Sequence, residues 1–201
     1  VSTPLYKQPN ETMRHFQDWT SSDLEALSPS TQPITQYKPA GDRATYDHLY
    51  THWDGSPARD HYRIAWRKMA PLTGERTLAA ALIPPGAAHI DALFSATSNS
   101  ENDTTLAAAI MSTLLSDLLI RAGASINIRE RAISRLPLPS DSPSFVKRII
   151  LRSLRLNCLT DAYADLWAEC WDDSFVTDVP ILERYDERPI GPEWTADTPL
   201  R

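Results

Sequence analysis

The sequence predicts an α+β (mixed α/β) chain, a twisted β-sheet followed by packed C-terminal helices. Three observations predict it. Period-two text and a short apolar run lie between residues 61 and 83. A long apolar-striped stretch comes next, at 102–123. Two more helical segments come after 142, so strands precede helices rather than alternating with them. At 201 residues, the chain is long enough to bury a core as one domain, or one domain plus an appendage.

Taken in order, residues 1–40 are polar and Pro-rich, and read as a lead-in segment with a turn of helix at 22–27. Residues 41–56 carry Tyr46, Tyr50 and Trp53 but no sustained period. In "HYRIAWRKMA", Tyr62, Ile64 and Trp66 fall on one side of a strand, with Arg63, Ala65 and Arg67 on the other. "TLAAALI" is a buried-strand run stopped by Pro84-Pro85-Gly86, although its alanines leave a helix open. The five residues 70–74 between them fit a hairpin loop or a short crossing. "NDTTLAAAIMSTLLSDLLIRAG" reads as a helix capped by Asn102 or Asp103. Leu106, Ile110, Leu114 and Leu118 form its stripe, and Gly123 stands at C′. "ASINIR" alternates, with Ile126 and Ile128 in and Ser125, Asn127 and Arg129 out. "ERAISRLPLP" is a short helix stopped by prolines. Ser142 and Pro143 open a helix to about Leu156 that carries Lys147, Arg148, Arg152 and Arg155. Thr160 caps a last one with Tyr163, Leu166, Trp167 and Trp171 on its apolar face. The remaining acidic stretch, with Pro and Trp, wraps the surface. These segments divide as 1–40, a core at 41–140, and a helical segment with acidic tail at 141–201.

Composition narrows the function. Sixteen prolines against six glycines indicate stiff connections rather than flexible linkers. A net charge of −6 argues against a protein that coats nucleic acid non-specifically, while leaving a local basic face open. Cys158 and Cys170 lack a zinc-like neighbourhood and read as buried free thiols of a reducing cytoplasm. No run approaches the roughly 18 apolar residues of a membrane span. The start "VSTPLYKQP" has neither an initiator Met nor a signal peptide, which suggests a piece of something longer.

Catalytic patterns are sparse. The glycines are too dispersed for a phosphate-binding loop, and G-x-S-x-G is missing. His48 and His52 are spaced for one helix face but lack the support of a metal motif. What stands out is a distribution of bases. Arg59, Arg63, Arg67, Lys68 and Arg76 lie within residues 58–77, with Tyr62 and Trp66 interleaved. Such residues read base edges or hold phosphates. Solvated strand-face cations whose stems cover apolar surface would produce the same pattern.

The stretch "HYRIAWRKMAPLTGERTLAAALIPPGAAHI" resembles the RxAxR-hydrophobic-…-ERT-hydrophobic-P block of large bacterial adenine-specific DNA methyltransferases, the fused restriction–modification and phage-defence enzymes. The likeness continues in order. "TPLYKQPNETMRHF" is similar to the segment after their catalytic domain, with Asn10-Glu11-Thr12 where that family has Gly-Lys. "STLLSDLLIRAGASINIRERAISRLPLP" resembles the helix, the R…G…N segment and the LP(L/V)P ending of their target-recognition domains, an ending shared by type I specificity subunits. "LRLNCLTDAYADLW" resembles the segment after that ending. The FxGxG-like cofactor loop and the (N/D)PP(Y/F/W) tetrapeptide that holds a flipped adenine are not in this sequence; Ile83-Pro84-Pro85-Gly86 is no such motif.

The resemblance thus implies a target-recognition fragment with no catalytic residue, metal or cofactor of its own. S-adenosylmethionine would belong to the parent enzyme, and residues 1–40 would lead in from its upstream catalytic domain. The partners implied are double-stranded DNA and that methyltransferase domain of the same chain, without a membrane. The DNA-binding residues implied are Arg59, Tyr62, Arg63, Arg67, Lys68, Arg76, Thr77, Asn127 and Arg129. Arg76 at a strand entry serves equally to brace the fold or to touch DNA. A protein-interaction or scaffold module, and a standalone hydrolase joining His48, His52 and Asp54, are the alternatives.

Overall fold

The computed structural model describes residues 4–9, 18–34, 40–71, 73–123, 125–139, 142–178 and 193–197. β1 (Lys7–Pro9) pairs antiparallel with β2 (Trp19–Ser21). Residues 22–27 make bends rather than a turn of helix. Asp42 accepts the Thr45 N–H at 2.9 Å and so caps α1 (Arg43–Leu49). β3 (His52–Trp53) and β4 (Ser56–Pro57) form a hairpin across Asp54-Gly55, whose φ values of 47° and 83° suit the tight two-residue turn that Asp-Gly favours.

The main sheet has the order β6-β5-β7 and is antiparallel throughout. β5 (Arg63–Arg67) is its centre, flanked by β6 (Ala80–Ile83) and β7 (Leu93–Ala96). Register places Ile64 opposite Leu82 and Ala96, and Trp66 opposite Ala80 and Phe94, so these six side chains share one face. α2 (Glu101–Met111) contacts β5, β6, α5 (Pro143–Asn157) and α6 (Ala164–Cys170), which makes it the middle of the molecule. The expected strand at 77–83 pairs regularly only from Ala80. The backbone N–H groups of Thr77 and Leu78 go instead to the Asp117 carboxylate, each at 2.7 Å. The β5–β6 connection is correspondingly longer than the five residues expected.

The stretch at 102–123 is two helices rather than one. Ser100, not Asn102 or Asp103, caps α2. At Ser112 and Thr113 the chain bends by 68°, and Thr113 caps α3 (Leu114–Ala122) by accepting the Ser116 N–H. Gly123 ends α3 at φ −68°, in the right-handed region, so the expected left-handed C′ turn is not formed. α4 (Glu130–Ile133) and α5 form where expected, α5 with Ser142 at its cap and Pro143 in its first turn. Thr160 precedes a short 3-10 turn that runs into α6, but its hydroxyl makes no capping hydrogen bond.

One core joins the three segments into which the sequence divides. Leu5 and Leu27 from the lead-in are buried with Leu82, Leu154, Leu166 and Trp167. The Tyr163 hydroxyl donates to Leu82 O at 3.0 Å, tying the C-terminal helices to the sheet. Trp194 packs edge-on against Trp167; the rest of the acidic tail beyond Asp178 lies largely outside the described residues. Both cysteines are free and buried, and burial pushes their thiols up, that of Cys170 to about 11. No single helix among the described residues is long and apolar enough to cross a membrane.

Candidate nucleic-acid interface

The nine expected contact residues separate into an interior group and a surface group. Arg59 is 4% exposed, and its guanidinium makes a two-pronged pair with Asp47 at 2.8 and 2.7 Å. Arg63 is fully buried. Its Nε donates to His61 O at 3.3 Å and its Nη2 donates to Ala87 O. Gly86 at φ 85° shapes the turn that presents this carbonyl. Burial draws the Arg63 pKa down from its ordinary value. The Tyr62 hydroxyl donates to Ala162 O at 3.0 Å, and burial raises it to about 12. Thr77 is closed in by Asp117, Pro71 O and Arg121. These four expectations are corrected, because folding buries each polar head inside the molecule.

Arg76 proves to be a brace. Its Nη2 donates to Ser112 O at 2.7 Å and Thr113 O at 3.3 Å, and its Nε lies 3.7 Å from Asp117. It ties the bend between α2 and α3 to the entry of β6. Lys68 is half-held, pairing with Asp91 at 2.8 Å and lying over the Phe94 ring at 5.4 Å.

Arg67, Asn127 and Arg129 lie at the surface. β5 ends at Arg67, and the backbone just beyond it pairs with the segment that holds Asn127. Met69 and Asn127 form an antiparallel bridge. Ala70 N–H donates to Ile126 O at 2.9 Å and Ile128 N–H to Lys68 O at 2.8 Å. Trp66 Nε1 donates to Ile128 O, and Ser125 Oγ to Asn127 O. Asn127 is therefore pinned on its backbone, while its side-chain amide has no hydrogen-bond partner among the described residues. Ile128 is buried, as expected, but Ile126 is 77% exposed and so does not turn inward.

Two grooves meet at Asn127. One, of about 1060 Å³, runs along the sheet face opposite α2, over Ala65, Ala81, Ile83 and Leu93, with Arg67 at its edge. The other, of about 410 Å³, lies between the end of α3 and residues 125–136. It is floored by Leu119, Ile128, Ala132 and Leu136 and rimmed by Arg129, Arg131 and Arg135. Sequence reasoning passed over Arg131 and Arg135. Their signal was a run of three arginines in seven residues answered only by Glu130.

Charge pairing sharpens the contrast. Arg43, Arg59, Lys68, Arg76, Arg121, Lys147, Arg148 and Arg152 each lie within ion-pair distance of a carboxylate. No carboxylate among the described residues pairs with Arg67, Arg129, Arg131 or Arg135. His48, His52 and Asp54 are exposed and line neither groove, and no cluster of metal-ligating side chains occurs among the described residues.

Compared with family models, with curated proteins and with solved structures, the chain matches none at a significant level.

Proposed function

We propose that this chain is the DNA target-recognition part of a site-specific adenine-N6 DNA methyltransferase of a restriction–modification or phage-defence system. A catalytic domain outside this sequence would take the methyl group from S-adenosylmethionine. The observation that carries the proposal is the grouping of arginines without a carboxylate partner among the described residues along two grooves that share the backbone-bridged Asn127, in a chain whose overall charge is negative. The ordered likeness of the ERT and LPLP blocks to recognition domains supports it. Arg67 and Arg129 hold phosphates on either side, because guanidinium forks match phosphate oxygens in two prongs. Asn127 reads a base edge, an amide being suited to adenine N6 and N7 in the major groove.

The test is fluorescence anisotropy of the full chain with short duplex DNA of random sequence at low salt. Arg67→Ala with Arg129→Ala should weaken binding by about 10-fold or more at unchanged thermal stability. Lys147→Ala, in a pair with Asp172 on α5, should leave binding unchanged. Failure of the wild-type chain to bind duplex at low salt overturns the proposal. The scaffold alternative has one observation in its favour, the outward leucines of α3. It predicts that Leu118→Glu disrupts an assembly while the methylated sequence stays the same.

A further inference from the structure

From the groove beside α4 we infer a phosphodiester-binding site on Arg131 and Arg135, separate in role from the base contact at Asn127. The inference rests on the DNA proposal above and extends it to two residues outside the expected contact set. Both side chains are exposed and without a carboxylate partner among the described residues. With Arg129 they place three like charges within seven residues on one rim. Like charges held together repel, and elsewhere in this chain cations are mostly set against carboxylates. A polyanion laid along the rim removes the repulsion and releases its own counterions.

The shape of the groove favours phosphate. Its lining combines apolar Leu119, Ala132 and Leu136 with the exposed Arg129, Arg131 and Arg135, the setting in which arginine stems cover apolar surface and leave the charged heads in water. Long, exposed side chains of this kind grip phosphate oxygens without fixing a base edge. Asn127 differs, since its backbone is bridged to Met69 and its position is set by the fold. It also lines both grooves, so Arg67 in one and Arg129, Arg131 and Arg135 in the other together span the length of the two, with Asp91 the carboxylate of the first, held by Lys68. A continuous polyanion fits that length better than an isolated carboxylate does. The arrangement separates grip from reading: Arg131 and Arg135 set register along the backbone, and the amide between the two arginine groups inspects the base.

The test is the salt dependence of duplex binding by the full chain, with the logarithm of affinity plotted against the logarithm of salt concentration. For Arg131→Ala with Arg135→Ala the slope should become shallower by about 2, close to one unit per phosphate contact. Selection from a randomised duplex pool should return the same preferred sequence as for the wild type. Arg131→Lys with Arg135→Lys should restore the slope, because the charge is retained. Thermal stability should not change in either variant. An unchanged slope in the alanine variant, a changed preferred sequence, or polyglutamate displacing the duplex as effectively as competing DNA would overturn the inference. Absence of duplex binding by the wild type would instead bring down the DNA proposal on which it rests.

Discussion

An arginine is hardest to accommodate where water is excluded, and Arg59 and Arg63 illustrate two solutions. Arg59 meets Asp47 fork to fork, and that hydrogen bond holds the Asp47 carboxyl below the usual carboxylate range. Arg63 donates to two carbonyl oxygens, His61 O beside it and Ala87 O on the turn after β6, and its Nη1 finds no partner among the described residues. Glu101 is the opposite case. Its Oε2 is buried without a partner among the described residues, and burial, with Glu169 nearby, raises it to about 7 although it sits in the first turn of α2. Desolvation outweighs the helix dipole there. A carboxyl raised in the folded state favours folding when protonated. That stability is fully present below the ordinary carboxyl range and is lost as pH climbs to about 7. Glu101→Gln should therefore raise stability at pH 8 by on the order of 1 kcal/mol and leave it nearly unchanged at pH 4. Urea titrations at the two pH values check this; a gain of equal size at both would contradict it. Arg67 and Arg129 were legible in the sequence as outward positions. Arg63 was not, because a period of two tells only that a side chain leaves one face, not that a distant turn covers that face, and Arg59 was not, because its partner Asp47 lies twelve residues earlier on α1.

α3 is an amphipathic helix with its polar side inward. Ser116, Asp117 and Ile120 are buried, while Leu114, Leu115, Leu118 and Leu119 are exposed by 43–74%. Hydrophobicity alone would rotate the helix the other way, each fully buried leucine being worth about 1.5–3 kcal/mol. Asp117 prevents the rotation. One of its oxygens accepts the N–H groups of Thr77 and Leu78, and Arg76 and Arg121 lie 3.7 Å away on either side. Turning Asp117 out would leave two buried N–H groups without their acceptor and remove the carboxylate beside Arg76 and Arg121, a larger loss than the leucines repay. Asp117→Ala should cost about 3 kcal/mol or more, and Asp117→Asn less, because its oxygen still accepts. Leu118→Ser should change stability by no more than about 0.5 kcal/mol. Denaturant midpoints of the three variants test the inversion, and a large loss in Leu118→Ser would refute it. The period of 3.6 correctly identified helix at 114–122. It assigned the wrong face because the partners of Asp117 lie some forty residues earlier, beyond any local window.

At the scale of the whole molecule, α2 organises a single core that reaches from Leu5 to Phe175. The lead-in segment is therefore structural. Leu5 is 1% exposed, and Leu5→Ala should cost about 2–5 kcal/mol, comparable to Leu154→Ala in α5. Both should unfold in one transition by fluorescence and circular dichroism. A Leu5→Ala variant as stable as wild type would show that the first segment is an appendage after all. From the amino-acid order alone came the α+β class, strands at 63–67 and 80–83, the helix starts after Ser142 and Thr160, and a candidate surface that included Arg67, Asn127 and Arg129. Those features depend on local period, proline and glycine placement, and capping chemistry, which a short window contains. Only the tertiary structure decided which arginines are buried, which face of α3 turns inward, and that the grooves lined by Arg67 and by Arg129 share Asn127. Each of those outcomes depends on hydrogen bonds and charges brought together from distant parts of the chain, and their energies outweigh the local pattern wherever a buried polar group would otherwise lack a partner.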